Sequence, residues 1–433
     1  SSILKLIKKL IFFLAIYLPL EEFILKWLPV PIYVFNYFLL FSDLIIVFII
    51  VIYIVKSNFV LKIRRENIYL FLFIIFSFFS LFYYQEWNSY FLKIWVLSRY
   101  ILLFFIVRKI FVSKDYMKFE KYFIYIFLFQ LLVGIVQYFE LPFLYDLFTP
   151  RSDLPKAANW LVKGESGMAG TFTYTVNYGY FMFAFSAFIV LSKKSINKKL
   201  FLIFLSCILS LFSESSIAFL VTFIVFSRYF SLVYPKIFYR FFLLILIFSI
   251  IFLRDILSDF LSPLLLIFNM FSEKWIIESL MFTRLGILKL FPLFFSNDLF
   301  TILFGFSLDG EALTLFVKNI MGSEIPHILS NNTVIGIEDV YWVAHLYYFG
   351  LFGLFFYIMI FKHIYSYLKS SYKTLILNII QYKILRLYLI LTILTAFVNQ
   401  AFSFKSFIFY FFTTIAYAMY KIDYENKKLI NSI

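Results

Sequence analysis

The chain has 433 residues, of which 63% are hydrophobic, 24% aromatic and 15% charged, and its mean hydropathy is +0.93. This composition excludes a water-soluble fold, because no soluble domain of this length could bury so much apolar surface. The formal net charge of +15 does not indicate nucleic-acid binding, since the basic residues are spread in small groups between apolar runs. The single cysteine, Cys207, excludes a disulfide framework and a metal-type cysteine cluster.

Apolar runs of about membrane-spanning length recur along the chain. They lie near residues 8–28, 32–55, 67–84, 90–107, 121–139, 175–192, 199–213, 215–230, 238–253, 340–361, 384–402 and 406–420. Because a helix needs about 20 apolar residues to cross a bilayer, the sequence predicts an all-α polytopic membrane protein with about 12 transmembrane helices. We expect one helical bundle over residues 1–433, in which the first run is a retained span and not a cleaved signal peptide.

The connections between the apolar runs alternate in charge. One set, which includes both termini, holds 27 of the 39 basic residues, and the other set holds most of the acidic residues. The positive-inside rule then places both termini in the cytoplasm. The membrane that we expect is a bacterial inner membrane. Two larger periplasmic loops are predicted at residues 140–174 and 254–337. The second includes an amphipathic stretch, Trp275 to Leu290, which is expected to lie along the membrane or over the bundle.

A charged residue inside an apolar run is costly and therefore indicates a partner or a function. Arg99 precedes the cytoplasmic Arg108 by nine residues, about 13 Å along a helix, which places it near the middle of the bilayer core. It is either a cation that binds an anion such as phosphate, or one half of a buried ion pair with Asp43 as its natural partner. The sequence favours neither interpretation.

Two further arginines lie in the predicted periplasmic loops. Arg284 falls within the apolar stripe of the amphipathic stretch, where it either snorkels at the interface or points into a site beneath the helix. Arg151 follows Pro150 in the first loop and is by default an ordinary exposed arginine. Neither arginine indicates a function without further context.

The second loop ends in residues that could carry chemistry. Glu338, Trp342 and His345 lie at i, i+4 and i+7 and therefore share one helix face. Glu338 or Asp339 could act as a general base with His345 beside it. The simpler interpretations are compensation of the helix dipole by the acids and helix packing by a hydrogen-bonded His345. Three scattered histidines predict no metal site.

Several short segments resemble the O-antigen polymerases of the Wzy type, which are similar in fold to the O-antigen ligases. The segments are Gly170-Thr171-Phe172 with Asn177-Tyr178-Gly179, the turn Ser213–Ser216, Thr283-Arg284 with Gly305-Phe306-Ser307, and Asp339 with Gly350-Leu351-Phe352-Gly353. The order of about 12 spans and two outer loops is also similar. In ligases the last segment begins with a histidine, and Asp339 occupies that position here, which favours the polymerases.

The resemblance implies a GT-C-like fold and a glycosyltransferase that polymerises undecaprenyl-pyrophosphate-linked oligosaccharide repeat units, as for O-antigen, at the periplasmic face of the inner membrane. The implied site residues are Arg284, Arg151 and Arg99 for the pyrophosphate and Asp339, Glu338 and His345 for catalysis. No cofactor and no metal are expected. The expected partners are the lipid-linked glycan, membrane lipid and a chain-length regulator protein, with no nucleic acid. The alternatives are an O-antigen ligase that transfers glycan to lipid A core and a polysaccharide transporter or flippase.

Overall fold

Every regular element in the part of the chain that the structure describes is helical. The computed structural model describes residues 2–26, 40–57, 65–82, 87–141, 144, 168–172, 175–213, 215–240, 292, 294–306, 341–370, 379–397 and 401–430. The helices are α1 (Ser2–Lys26), α2 (Phe41–Lys56), α3 (Arg65–Phe78), α4 (Trp87–Ile110), α5 (Ser113–Tyr138), α6 (Thr175–Leu191), α7 (Ile196–Phe212), α8 (Ser216–Val233), α9 (Leu299–Phe304), α10 (Tyr341–Ser370), α11 (Ile379–Thr395) and α12 (Lys405–Ile430). Within these ranges the all-α prediction is confirmed.

Three of the described helices are long and apolar enough to cross a membrane, namely Ser113–Tyr138, Ser216–Val233 and Tyr341–Lys369. Large apolar side chains are also exposed on several helices, and Leu44, Phe71 and Phe201 are each more than 60% exposed. A surface of this kind suits lipid better than water. These helices support the transmembrane character of the chain, but they do not establish the predicted number of spans.

Helices α6 and α12 form the centre of the bundle. Every residue from Tyr178 to Leu191 in α6 is buried, as is every residue from Ser406 to Met419 in α12. A helix that is apolar on all sides requires neighbours on all sides. Accordingly α6 contacts α5, α7, α8, α11 and α12, and α12 also contacts α1 and α4. These two helices therefore fix the positions of the others.

Contacts between helix termini divide the bundle into two ends. At one of them, the basic end, Lys8 of α1 pairs with Asp115 of α5, and Arg108 of α4 lies 3.6 Å from Asp423 of α12. The charge alternation of the sequence assigned all four residues to the same side. At the opposite end, the polar end, α1 and α5 finish and α2, α6 and α12 begin. The contacts thus agree with the alternating helix directions that the sequence predicts.

Helix α10 is interrupted at Gly350, and part of the second predicted loop packs against this interruption. Gly350 has φ +64° and ψ −169° within α10, and Gly305, at the end of α9, has φ +80° and ψ −178°. Both conformations are nearly confined to glycine. A Cβ on Gly350 would lie 2.5 Å from the Leu303 backbone, and one on Gly305 would lie 2.6 Å from the Gly350 nitrogen. The N–H of Phe306 donates to the Tyr347 carbonyl at 2.7 Å, next to the break.

This contact extends two predictions. Gly350, which belongs to one of the family-like segments, interrupts α10 instead of continuing the helix. Residues 294–306, within the predicted outer loop 254–337, pack against α3 and α10, and Phe304 stacks on Phe76 and Phe79. The amphipathic stretch Trp275 to Leu290 lies outside the described residues.

The side chain of Asp298 caps α9. It accepts hydrogen bonds from the Thr301 N–H at 3.0 Å and from the Thr301 hydroxyl at 2.8 Å. Burial raises the pKa of Asp298, but these hydrogen bonds outweigh burial and hold the pKa below its usual value. The stabilisation is therefore complete above the unfolded-state pKa and is lost as the pH falls through the lower folded-state pKa.

We expect Asp298→Ala to lower the free energy of unfolding by about 1 kcal/mol at neutral pH, the usual cost of losing a helix cap. The difference from the wild-type protein should shrink once acid protonates the wild-type carboxyl. Asp298→Asn should keep the cap and lose this pH dependence, because asparagine caps a helix in a neutral form. Thermal unfolding of the three proteins at neutral and acidic pH measures both effects, and a pH-independent difference for the alanine variant would contradict the explanation.

Candidate functional site

Four charged side chains meet at the polar end, and we name them the charged cluster. Arg99 of α4 donates a hydrogen bond to Asp43 of α2. Lys405 of α12 lies 3.1 Å from the carboxylate of Glu21 in α1 and 3.7 Å from that of Asp43. Arg99, Asp43 and Glu21 are 3%, 6% and 3% exposed. The two positive and two negative side chains balance, as buried charges require.

Neutral groups complete the charged cluster. The hydroxyl of Ser42 donates to Glu21 at 2.7 Å and accepts from Lys405 at 3.1 Å. The Arg99 guanidinium lies 4.9 Å from the ring centroid of Tyr100. Its Nε is buried and has no hydrogen-bond partner among the described residues. The charged cluster therefore joins helices from both ends of the chain and leaves one donor of Arg99 unused.

The ion-pair interpretation of Arg99 named Asp43 as its partner, and the structure contains this pair. Asp43 is in contact with Arg99, and that part of the prediction is confirmed. A guanidinium has five N–H donors, so a single carboxylate does not occupy all of them. Anion binding by Arg99 stays a prediction.

Two glutamines of α5 hold the end of the first predicted loop, and we name this arrangement the amide clamp. Oε1 of Gln137 accepts from the N–H groups of Ala169 and Gly170 at 3.0 and 2.8 Å, and Nε2 of Gln137 donates to the Gly170 carbonyl at 2.7 Å. Oε1 of Gln130 accepts from the Thr171 N–H at 2.9 Å, and Nε2 of Gln130 donates to the Thr171 hydroxyl. Both glutamines are buried, so the amide clamp satisfies backbone groups that water does not reach.

The amide clamp depends on the spacing of three residues in α5. Gln130, Gly134 and Gln137 lie at i, i+4 and i+7 and share one face. A Cβ on Gly134 would lie 2.9 Å from the Tyr178 hydroxyl and 3.1 Å from the sulfur of Met168, so glycine lets the loop approach the helix. Sequence reasoning missed both glutamines. Their regular spacing in an otherwise apolar run was the available signal.

Three of the family-like segments lie together at the polar end. The Met168 N–H, beside the amide clamp, donates to the Phe212 carbonyl at the end of α7 at 2.9 Å. A Cβ on Gly179 would lie 2.7 Å from the hydroxyl of Ser213, so α6 touches the turn that follows α7. The segments brought together are Gly170-Thr171-Phe172, Asn177-Tyr178-Gly179 and the turn that begins at Ser213.

The amide clamp and the charged cluster are neighbours. The Thr171 hydroxyl donates to the carbonyl of Pro19 in α1, and Gln130 lies 3.5 Å from the same carbonyl. Glu21 of the charged cluster follows Pro19 by two residues in the same helix. The polar end thus combines buried charges, buried amides and three of the segments that carry the resemblance.

His345 lies in an aromatic cluster beside the break in α10. Its ring centroid is 4.7 Å from that of Tyr357, 5.0 Å from that of Phe349 and 5.5 Å from that of Phe73. The side chain is 2% exposed. It faces the Gly353 backbone, but within the described ranges neither ring nitrogen has a partner with the geometry of a hydrogen bond. His345 therefore packs between helices, as the simpler interpretation expected, and its role beside a base stays a prediction.

The remaining predicted site residues lie outside the described residues. They are Arg151, Arg284, Glu338 and Asp339. Of the predicted set, the structure therefore places Arg99 and His345. Among the described residues no group of three or more histidine, cysteine, aspartate or glutamate side chains could hold a metal ion.

Comparison of the chain with protein-family models and with curated proteins finds no match. The resemblance to the polymerases therefore rests on the short segments named above.

We expect Gln137→Leu to lower the free energy of unfolding by about 2 kcal/mol. Leucine cannot accept from Ala169 and Gly170, and an unpaired buried donor costs about 1–3 kcal/mol. Gln381→Leu is the control, because Gln381 lies at the basic end, 3.5 Å from Lys421. Thermal unfolding in detergent measures both variants, and equal losses would show that the amide clamp contributes nothing specific.

Proposed function

We propose that this chain is a glycosyltransferase that polymerises oligosaccharide repeat units carried on undecaprenyl pyrophosphate. It would cross a bacterial inner membrane about 12 times, with the basic end and both termini in the cytoplasm and the polar end toward the periplasm. The meeting of three family-like segments at the polar end, with Thr171 bound to the carbonyl of Pro19 next to the charged cluster, supports this proposal most strongly. The orientation is supported by the charge alternation, because positive connections stay in the cytoplasm.

The proposed chemistry transfers a growing glycan from one lipid carrier to another repeat unit. A hydroxyl oxygen of the acceptor sugar forms a bond to the anomeric carbon of the donor, and the bond from that carbon to the pyrophosphate oxygen breaks. A carboxylate, Asp339 or Glu338, takes the hydroxyl proton, with His345 beside it. The energy of the reaction comes from the pyrophosphate bond, so the proposal requires no nucleotide sugar.

In the same proposal, arginines bind the pyrophosphate and stabilise it as the leaving group. Arg284 and Arg151 are the principal residues, and Arg99 is a third. A forked guanidinium suits phosphate oxygens and stays charged at any depth in the membrane. The buried Nε of Arg99, which has no hydrogen-bond partner in the described ranges, is consistent with that third role.

Purified protein supplied with lipid-linked repeat units is expected to lengthen the glycan without ATP or an ion gradient. Arg284→Ala should slow extension about a hundredfold, the usual cost of removing one group that stabilises developing negative charge. Arg284→Lys should also be slower, because lysine cannot make bidentate contacts. Lys289→Ala removes the same charge from the same predicted loop and is the control. Wild-type rates in Arg284→Ala would remove this residue from the mechanism.

The ligase alternative differs in its acceptor. A deletion strain that lacks every glycan longer than one repeat unit would support the polymerase. Accumulation of long lipid-linked chains in that strain would contradict the polymerase and support the ligase.

The transporter alternative is supported by one observation, the break in α10 at Gly350. Transporters often use discontinuous helices, which occur at corresponding positions in two repeated halves. In the described part of the chain, Gly350 is the residue with non-helical backbone inside a helix, and no matching break accompanies it. Movement of lipid-linked repeat units across vesicles without glycan extension would favour transport.

A further inference from the structure

Two lysines cap the C-terminus of the central helix α6 at the basic end. Lys199 of α7 donates to the Val190 carbonyl at 3.1 Å, and Lys421 of α12 donates to the Leu191 carbonyl. Cations are favourable at a helix C-terminus because the last carbonyls carry partial negative charge. These two lysines are therefore held in place by the backbone of α6.

Two more lysines follow in the turn between α6 and α7. Lys193 is exposed, and Lys194 is 33% exposed and lies 3.9 Å from Glu120. We name the four residues the lysine group, which consists of Lys193, Lys194, Lys199 and Lys421. The group combines two anchored cations with two that can reach a ligand outside the bundle.

Positive charge exceeds negative charge around the lysine group. Burial and the nearby charges of Lys199 and Lys193 lower the pKa of Lys421 to about 8, although Glu425 and Glu120 oppose this shift. Among the described residues, the carboxylates of Glu120 and Glu425 therefore lie near four ammonium groups. An added anion would relieve the repulsion among the lysines.

An exposed apolar stripe lies on α7, the helix that follows Lys193 and Lys194 along the chain. Phe201, Phe204 and Leu211 are 63%, 47% and 53% exposed and share one face of the helix. Lys198, also exposed, precedes Phe201 by three residues on that face. A soluble anion would use the lysines alone, whereas a lipid would use the lysines and the stripe.

We propose that the lysine group and the α7 stripe bind an anionic phospholipid. The headgroup phosphate lies against Lys193 and Lys194, and an acyl chain lies along Phe201 and Phe204. Basic residues at the membrane surface attract anionic headgroups, and the stripe supplies the apolar contact that a lipid requires. This inference is independent of the proposed glycosyltransferase chemistry.

Native mass spectrometry of the full chain in detergent tests the assignment by titration with phosphatidylglycerol and with phosphatidylcholine. The wild-type chain should bind phosphatidylglycerol more tightly. Lys193→Gln/Lys194→Gln should weaken that binding about 25-fold, because each lysine contributes about fivefold. Lys5→Gln/Lys9→Gln is the matched control, since both side chains are exposed on α1 at the same end. This control should change the affinity for phosphatidylglycerol by less than about twofold.

Three results would overturn the assignment. Equal affinity of the wild-type chain for the two lipids would show that the lysine group does not select anionic headgroups. Equal losses in the two double variants would assign the binding to the overall positive charge of the basic end. Complete displacement of phosphatidylglycerol by inorganic phosphate would assign the lysines to a soluble anion, with no contribution from the α7 stripe.

Discussion

Asp43→Leu is expected to lower the free energy of unfolding by about 3–5 kcal/mol, because Arg99 would keep a buried charge without its carboxylate. The double variant Asp43→Leu/Arg99→Leu should regain most of this loss, since two apolar side chains replace the ion pair. Glu21 and Lys405 remain 3.1 Å apart in that variant, so the charged cluster stays balanced. Thermal unfolding of the wild-type protein, both single variants and the double variant measures the coupling between the two residues.

Lys8→Leu is the control for these variants. Lys8 and Asp115 form an ion pair at the basic end in which the side chains are 23% and 16% exposed. Breaking a partly exposed pair of this kind costs about 1 kcal/mol or less. A cost for Asp43→Leu as small as that for Lys8→Leu would show that Arg99 does not depend on Asp43.

The same double variant separates the two interpretations of Arg99. Under the proposed polymerase function, a folded double variant should extend glycans at the wild-type rate if Arg99 serves only to neutralise Asp43. If Arg99 also binds pyrophosphate, the variant should fold normally and extend glycans more slowly. The experiment thus assigns Arg99 to structure or to substrate binding without relying on a destabilised protein.

The sequence named Asp43 as the partner in one of its two interpretations of Arg99, because charges inside apolar runs are rare and each therefore limits the choice of partner. It did not predict that Lys405 and Glu21 would join them. These two residues lie 384 positions apart. Lys405 lies between two predicted spans, where an exposed charge is ordinary, and Glu21 lies in the second half of the first apolar run, 8–28. Their contact depends on the packing of α12 against α1, which apolar periodicity alone does not determine.

Apolar periodicity likewise does not determine the contacts of the amide clamp or the break in α10. The spacing of Gln130 and Gln137 shows that they share a helix face, but not which backbone groups they bind. Gly350 lies within a predicted apolar run, and its positive φ and its close approach to Leu303 and Phe304 are seen only in the structure. Local patterns therefore predicted the helices, while the polar contacts between distant segments required the tertiary structure.

Gly350→Ala is expected to separate residues 294–306 from α10 and to lower the free energy of unfolding by about 3 kcal/mol or more. The backbone conformation of Gly350 alone costs about 1–3 kcal/mol for other residues. The new Cβ would also lie 2.5 Å from the Leu303 backbone, which cannot move aside as a side-chain tip can. Gly134→Ala is the control: its Cβ would crowd only side-chain atoms of the amide-clamp region, the Tyr178 hydroxyl at 2.9 Å and the Met168 sulfur at 3.1 Å. Its backbone is helical, so any loss should be smaller and should leave residues 294–306 docked.

A cysteine in place of Thr301 reports directly whether residues 294–306 separate from α10. Thr301 is completely buried, and the native Cys207 is 5% exposed, so Thr301→Cys adds a protected thiol with little background. In the Gly350→Ala background this thiol should react much faster with a water-soluble maleimide, whereas the Gly134→Ala background should leave it protected. Protection in both backgrounds would contradict the role of Gly350 in docking the segment. Faster reaction only with Gly350→Ala would show that the glycine contact holds residues 294–306 against α10.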